Sequence, residues 1–264
     1  VFFKWYGRSY AGVLKCFTRF FVQNEESKRL LDGIGITAVD VVGDTRFDRV
    51  LQIKEAAKQL PICEAFRTGV ASSQSADVPH HDFKVFVAGS SWPPDENIFI
   101  PFFNEHKDWR LLIAPHVIAE EHLKLILSLI KGKKVVRYTQ TTPEEAAEAD
   151  VLIIDCFGLL SSMYNYGDVA YIGGGFGVGI HNTLEAAVWN MPVIFGPNNK
   201  KFQEAQGLLK SDGGFEINTN EDFSGLMSSL MNDEAFLKQA GDKAGAFVAH
   251  LAGATDKVLA SVKL

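Results

Sequence analysis

Cysteine is scarce in this 264-residue sequence, and positive charge is in deficit. The three cysteines, Cys16, Cys63 and Cys156, are odd in number and far apart. They form neither a disulfide framework nor a zinc-finger spacing, which points to a reducing, cytosolic setting. Lysine and arginine total 26 against 32 acidic residues, a formal charge of −6. That balance excludes a strongly basic nucleic-acid footprint. No apolar run approaches the ~18 residues that a membrane-spanning helix needs. The opening residues 1–8 carry no charged leader before an apolar stretch and so do not read as a signal peptide. They also lack an initiator methionine, and the natural protein is expected to extend upstream. A Walker loop ending, a Gly-x-Ser-x-Gly elbow and a cysteine–histidine pair are all missing.

Apolar residues make up 47% of the chain, enough for one large α/β domain or two small ones. Short apolar, β-branched runs predict strands at 20–22, 39–42, 83–88, 109–114, 135–138, 151–155, 169–172 and 192–195. Between them the pattern predicts helices opened at Asn24, over 47–60 closed by Pro61, from Pro93 to Glu105, over 118–129, around 159–164 and from His181-Asn182 to Trp189. Residues 9–18 read as a short helix, 68–81 as a linker or loop, and 233–251 and 254–263 as amphipathic helices. Strand, turn and helix repeated with short connections argue a Rossmann-like parallel sheet with helices on both faces. In such sheets ligands bind beyond the carboxyl ends of the strands.

The polar and glycine-rich segments fall at those ends. Residues 171–185 place five glycines between a strand and a helix, where backbone can approach a ligand and free N–H groups suit a phosphate. Within that stretch Gly174 and Gly175 are candidates for backbone contacts. Asn182 and Glu185 are spaced as a capping box, and equally as a pair that faces a ribose diol. His181 reads either as a loop residue or as a partner for phosphate or carboxylate. One strand end away, Ser90 and Ser91 offer hydroxyls before Trp92 and Pro93, with Asp95 and Glu96 complementing the helix dipole; a plain N-terminal cap explains the serines almost as well. Pro115-His116 brings a further polar group to the same rim. His80-His81-Asp82 has the composition of a metal cluster but no partner at ligand spacing. The aromatics Phe2, Phe3, Trp5 and Tyr6 read as core or interface. The charged string 43–49 reads as local ion pairs at a domain junction.

Taken in order, these segments resemble the transferases that place 3-deoxy-D-manno-octulosonic acid (Kdo) on lipid A precursors. The matching pieces are Phe21-Val22-Gln23, Gly43-Asp-Thr-Arg-Phe-Asp-Arg-Val50, Gly89-Ser-Ser-Trp92 and Ile154-Asp155-Cys-Phe-Gly158 with Tyr164. Gly173-Gly174-Gly-Phe176, His181-Asn-Thr-Leu-Glu185 and Pro192-Val-Ile-Phe-Gly-Pro197 with Phe202 complete the series. The resemblance implies the C-terminal half of a GT-B glycosyltransferase. By that analogy residues 1–50 are the tail of the acceptor-side domain, and 51–264 form the nucleotide-sugar domain, with the last helix folding back toward the other half. It implies CMP-Kdo as donor, held by Ser90, Ser91, Trp92, His116, Gly174, Gly175, His181, Asn182 and Glu185. A lipid A precursor is the implied acceptor, reached through a missing N-terminal domain at the cytoplasmic face of the inner membrane. No metal, other cofactor or nucleic acid is implied. Two departures stand out. The family's general base, a glutamate of the acceptor domain, has no counterpart, so no catalytic residue is expected in this chain. The common Pro-Arg-His motif reads Pro115-His116, without its arginine. The alternatives are another GT-B enzyme that uses a UDP-sugar, such as a glycosyltransferase or a UDP-GlcNAc 2-epimerase, and a non-catalytic interaction module.

Overall fold

A computed structural model of the chain describes residues 12–70 and 83–262. The aromatics Phe2, Phe3, Trp5 and Tyr6, the His80-His81-Asp82 cluster and most of the predicted linker at 68–81 lie outside the described residues. The chain divides into two compact units, one made of Val1–Gln52 with Ala249–Leu264 and the other of Ile53–Val248. The segment from 249 onward, assigned by the sequence to a 51–264 domain, is thus grouped with the first fifty residues instead.

In the smaller unit β1 (Phe20–Val22) and β2 (Val39–Val41) pair in parallel, Phe20 opposite Val39. Helix α1 (Glu25–Asp32) links them and starts where the Asn24 side chain accepts the Ser27 N–H at 2.8 Å. Leu31, Ile36 and Val39 form a small core against Leu14, Phe20, Val22 and Ile34. Helix α2 (Thr45–Glu55) follows, and its acids behave differently. Asp44, just ahead of it, pairs with Arg46 at 2.8 Å. Asp48 instead accepts from the Gly253 N–H and from the Thr255 N–H and hydroxyl, the latter two at 2.9 and 3.0 Å. Burial works to raise its carboxyl pKa, but these donors, together with the Ala254 N–H, hold it below the usual range.

The larger unit holds a seven-stranded parallel sheet. After α3 (Pro61–Thr68) come β3 (Lys84–Ser91), α4 (Pro93–Glu105), β4 (Trp109–Pro115), α5 (Glu120–Leu129) and β5 (Val135–Arg137). Then follow α6 (Pro143–Ala147), β6 (Val151–Ile153), α7 (Leu160–Met163), β7 (Val169–Ile172), α8 (Leu184–Ala187) and β8 (Val193–Phe195). Helix α9 (Gln203–Lys210), β9 (Gly214–Glu216), α10 (Asn220–Asn232), α11 (Glu234–Leu251) and α12 (Ala254–Ser261) close the chain. The strands lie in the order β5-β6-β4-β3-β7-β8-β9. Strands β4, β6, β7 and β8 are buried along their whole length, as a parallel sheet covered on both faces requires. Phe86, Phe99, Phe103, Tyr171 and Phe223 form the aromatic centre of the core. Arg110, the one charge inside β4, donates to the carbonyls of Phe66 and Ala147, and burial lowers its pKa to about 10.

Several elements differ from the sequence reading. Pro61 does not close the preceding helix; α2 ends at Glu55, and Pro61 opens α3 as its first residue, where a missing N–H costs nothing. Pro143 opens α6 in the same way after Thr142, whose side chain accepts the Glu145 N–H. The stretch 198–232, left unassigned, holds α9, β9 and α10.

The topology also locates a crevice. From β3 the chain passes to its neighbour β4 on one side; from β7, on the other flank of β3, it passes outward to β8. The connections leaving β3 and β7 therefore diverge, and their carboxyl ends bound the switch point at which ligands of such sheets sit.

Candidate functional site: the carboxyl ends of β3, β4 and β7

Backbone geometry brings three strand ends into contact. A bulge between Gly89 and Ser91 shifts the β3–β4 register, and Ser90 takes a left-handed φ of 53°. The turn that results presses on the glycines after β7: a Cβ on Gly173 would meet the Ser90 carbonyl oxygen at 2.1 Å. One on Gly175 would meet the Gly196 nitrogen at 2.5 Å, beyond the end of β8. These glycines are needed for packing between strand ends. The exposed tip of the loop is Gly177-Val178, with Val178 97% exposed.

Beneath the loop lie two buried carboxylates from the first turn of α4. Asp95 accepts from the Tyr171 hydroxyl at 2.8 Å and from the N–H groups of Gly174 and Trp92, each at 2.9 Å. Glu96 accepts from the Ser91 hydroxyl and from His122 Nε2, both at 2.8 Å. Burial pushes both carboxyls above their usual range, and their hydrogen bonds pull against it. The acids therefore do more than complement a helix dipole. They fasten α4 to the ends of β3 and β7.

This arrangement revises two of the sequence-predicted contacts. The Ser91 side chain is fully buried and committed to Glu96, so it offers no hydroxyl to the crevice. The Gly174 N–H points to Asp95 and is not free for a phosphate. Sequence reasoning missed Asp95 and Glu96 as buried acceptors, and His122 with them. One signal was available: Tyr171 is the one polar side chain of an otherwise aliphatic strand, and a buried phenol needs a hydrogen-bond partner.

Other candidates do converge on the rim. Trp92 stacks on His116 with ring centroids 4.5 Å apart, and His116 stacks on His181 at 4.4 Å. The Trp92 indole N–H also reaches His181 Nε2 at 3.3 Å. Burial, then the neighbouring His116, lower the His181 pKa, and Asp95 works against them. After β7, Asn182 Oδ1 accepts the Leu184 N–H at 3.1 Å and its amide donates to Glu185 at 2.9 Å. The pair is thus joined side chain to side chain, and the reciprocal backbone bond of a capping box is not what Glu185 makes here. Thr183 between them is buried, and its hydroxyl finds no partner among the described residues. A cavity of ≈ 170 Å3 lies between Trp92, Pro94 and Asp95 on one side and Gly174, Gly177 and Val178 on the other. That is room for one ring-sized group and too little for a whole nucleotide sugar. Among the described residues no group of three or more His, Cys, Asp or Glu side chains is placed to hold a metal.

With this geometry in hand, comparison with known proteins gives a consistent result. No protein-family model matches the chain. A 3-deoxy-D-manno-octulosonic acid transferase of Rickettsia typhi is 27% identical over 263 residues, covering 95% of this chain and 53% of its own length. The chain is a homologue of the Kdo transferases. It spans about half the length of the curated relatives it matches, 47% and 53% of two Rickettsia transferases. Among solved structures, the C-terminal CMP-Kdo binding domain of WaaA from Acinetobacter baumannii superposes with a TM-score of 0.54 at 16% identity, over 76% of this chain and 97% of that domain. A putative UDP-N-acetylglucosamine 2-epimerase from Listeria monocytogenes gives 0.60 at 11% identity, over 93% of this chain and 61% of its own. At these identities the superpositions establish the fold, the Rossmann-like domain of GT-B glycosyltransferases. In this Kdo-transferase homologue the Rossmann-like unit carries every candidate site residue. No helix among the described residues is long and apolar enough to cross a membrane.

Proposed function

We propose that this chain is the donor-binding part of a Kdo transferase, seating CMP-Kdo across the carboxyl ends of β3, β4 and β7. The observation that carries the reading is the convergence of Trp92, His116 and His181 at those three strand ends in a chain homologous to Kdo transferases along nearly its whole length. His116 and His181 meet the phosphate or the sugar carboxylate, and Asn182 and Glu185 meet the ribose hydroxyls. Ser90, half-buried in its turn, contributes from the same rim. The arginine missing before His116 leaves hydrogen bonds from imidazole to do the work of a fixed cation.

In the whole enzyme a lipid A precursor hydroxyl attacks the anomeric carbon of Kdo while the bond to CMP breaks, inverting that centre. A base on the acceptor-side domain takes the hydroxyl proton, and N–H donors at the strand ends hold the departing phosphate. Residues 1–50 belong to the acceptor side in this reading, and transfer takes place at the cytoplasmic face of the inner membrane. The 264-residue chain alone binds CMP weakly and transfers no Kdo.

Calorimetric titration with CMP, with UMP and UDP as controls, tests the assignment. CMP-selective binding that weakens in Glu185→Ala is the expected result. Preference for UDP would move the chain to a UDP-sugar branch of the same architecture.

A further inference from the structure

Trp92 touches His181 through the one polar atom it has, and that contact fixes the chemistry of the histidine. An indole N–H can only donate. His181 Nε2, 3.3 Å away, must therefore present its lone pair, and a neutral imidazole so engaged carries its proton on Nδ1. The ring is oriented to match. Its Cδ2 edge, next to Nε2, faces the glycine turn, 3.4 Å from where a Cβ on Gly174 would lie. Nδ1 sits on the opposite edge, and no hydrogen bond among the described residues engages it, while the ring is half-buried.

We infer that Trp92 is a positioning residue that locks His181 in the Nδ1–H tautomer, so that a neutral, directed N–H donor faces the oxyanion of the donor nucleotide. The identity of that oxyanion rests on the CMP-Kdo reading; the tautomer does not. Protonating Nε2 would set two N–H groups head to head, so Trp92 also opposes the imidazolium. The groups facing the ring act on the same balance: burial and the stacked His116 favour the neutral form, and Asp95 favours the charged one. His181 thus serves as a hydrogen-bond donor rather than as a charge.

Long-range 1H–15N correlation spectra of the ligand-free 264-residue chain at pH 8 give the test. The chain has seven histidines, and the His181 signals are assigned by their loss in His181→Gln. The expected pattern is a protonated Nδ1 and a bare Nε2. Trp92→Phe keeps a ring against His116 and removes the donor, so His181 should then populate the Nε2–H form and titrate at higher pH. CMP binding at pH 8 should weaken in Trp92→Phe by roughly 3–10-fold, the value of one hydrogen bond, and recover in part at pH 5.5, where the imidazolium donates from both nitrogens. A purely structural tryptophan would show no such pH-dependent recovery. An Nε2–H tautomer in the unsubstituted chain overturns the inference whatever the ligand, and that spectrum decides alone should Trp92→Phe fail to fold. If the tautomer is as expected but CMP binds neither protein, the positioning role stands and the nucleotide assignment falls.

Discussion

Two neighbouring turns of the same sheet, one after β3 and one after β7, use similar residues to opposite ends. Both follow buried strands, both contain small residues, and both lead into a helix with an acid in its first turn. After β3 the polar groups turn inward: Ser91, Asp95 and Glu96 are buried and hydrogen-bonded to one another's surroundings, with the acids held above their usual pKa by desolvation. After β7, Asn182 is exposed, His181 and Glu185 are partly so, and the glycines are used up in packing. Ser90 and Trp92 apart, the first turn is a foundation and the second is a working surface. A polar residue at a strand end is therefore not by itself a ligand contact; the burial of its side chain decides.

The contrast can be broken most severely from below. Asp95→Ala leaves the Tyr171 hydroxyl and the N–H groups of Gly174 and Trp92 without their acceptor, at roughly 1–3 kcal/mol for each unsatisfied group. A loss of roughly 3–5 kcal/mol of stability is expected in urea titrations, and Asp95→Asn, which keeps one acceptor oxygen, should lose less. Gly175→Ala drives a Cβ against the Gly196 backbone, and overpacking of that kind costs about 1–3 kcal/mol. Its effect should appear in both the unfolding midpoint and CMP affinity, because the loop must shift.

Substitutions on the working surface should separate those two readouts. Glu185→Ala removes only a partly exposed partner of the Asn182 amide, so stability should change by less than ~0.5 kcal/mol. CMP affinity is expected to fall by roughly 3–10-fold. The smallest effect is that of pH. Because the folded pKa of His181 is lowered, the folded chain favours neutral imidazole more than the unfolded chain does. Its contribution is present in full above the ordinary histidine pKa of ~6.5 and is lost as pH falls from there toward the folded value. Thermal unfolding followed from pH 8 to pH 5 should show a smaller decline in His181→Gln than in the parent chain.

The sheet was legible in the sequence because a parallel sheet buries both faces, and strands such as 109–114 then read as nearly unbroken apolar runs. The glycine-rich turn was equally plain. What stayed hidden was direction. Nothing near Asp95 in the sequence announces that its acceptor serves Tyr171 and Gly174, 76 and 79 positions away. Ser91 looked like an offered hydroxyl because its partner Glu96 could as well have faced solvent. Prolines misled in a simpler way: Pro61 was read as a stop, although proline at a first helical position is a start. The stretch 198–232 carries α9, β9 and α10 in short pieces whose pattern is weak until the sheet is there to receive them.

Asp48 has a consequence for how the protein is made. Its partners, Gly253 and Thr255, are 205 and 207 residues further along the chain. The residues that supply these donors are synthesised only after the entire seven-stranded sheet. Domains fold as units, and the larger unit has nearly all its residues in hand before Gly253 and Thr255 exist. Closing so long a loop is slow, so Asp48 goes without these donors while the intervening sheet assembles.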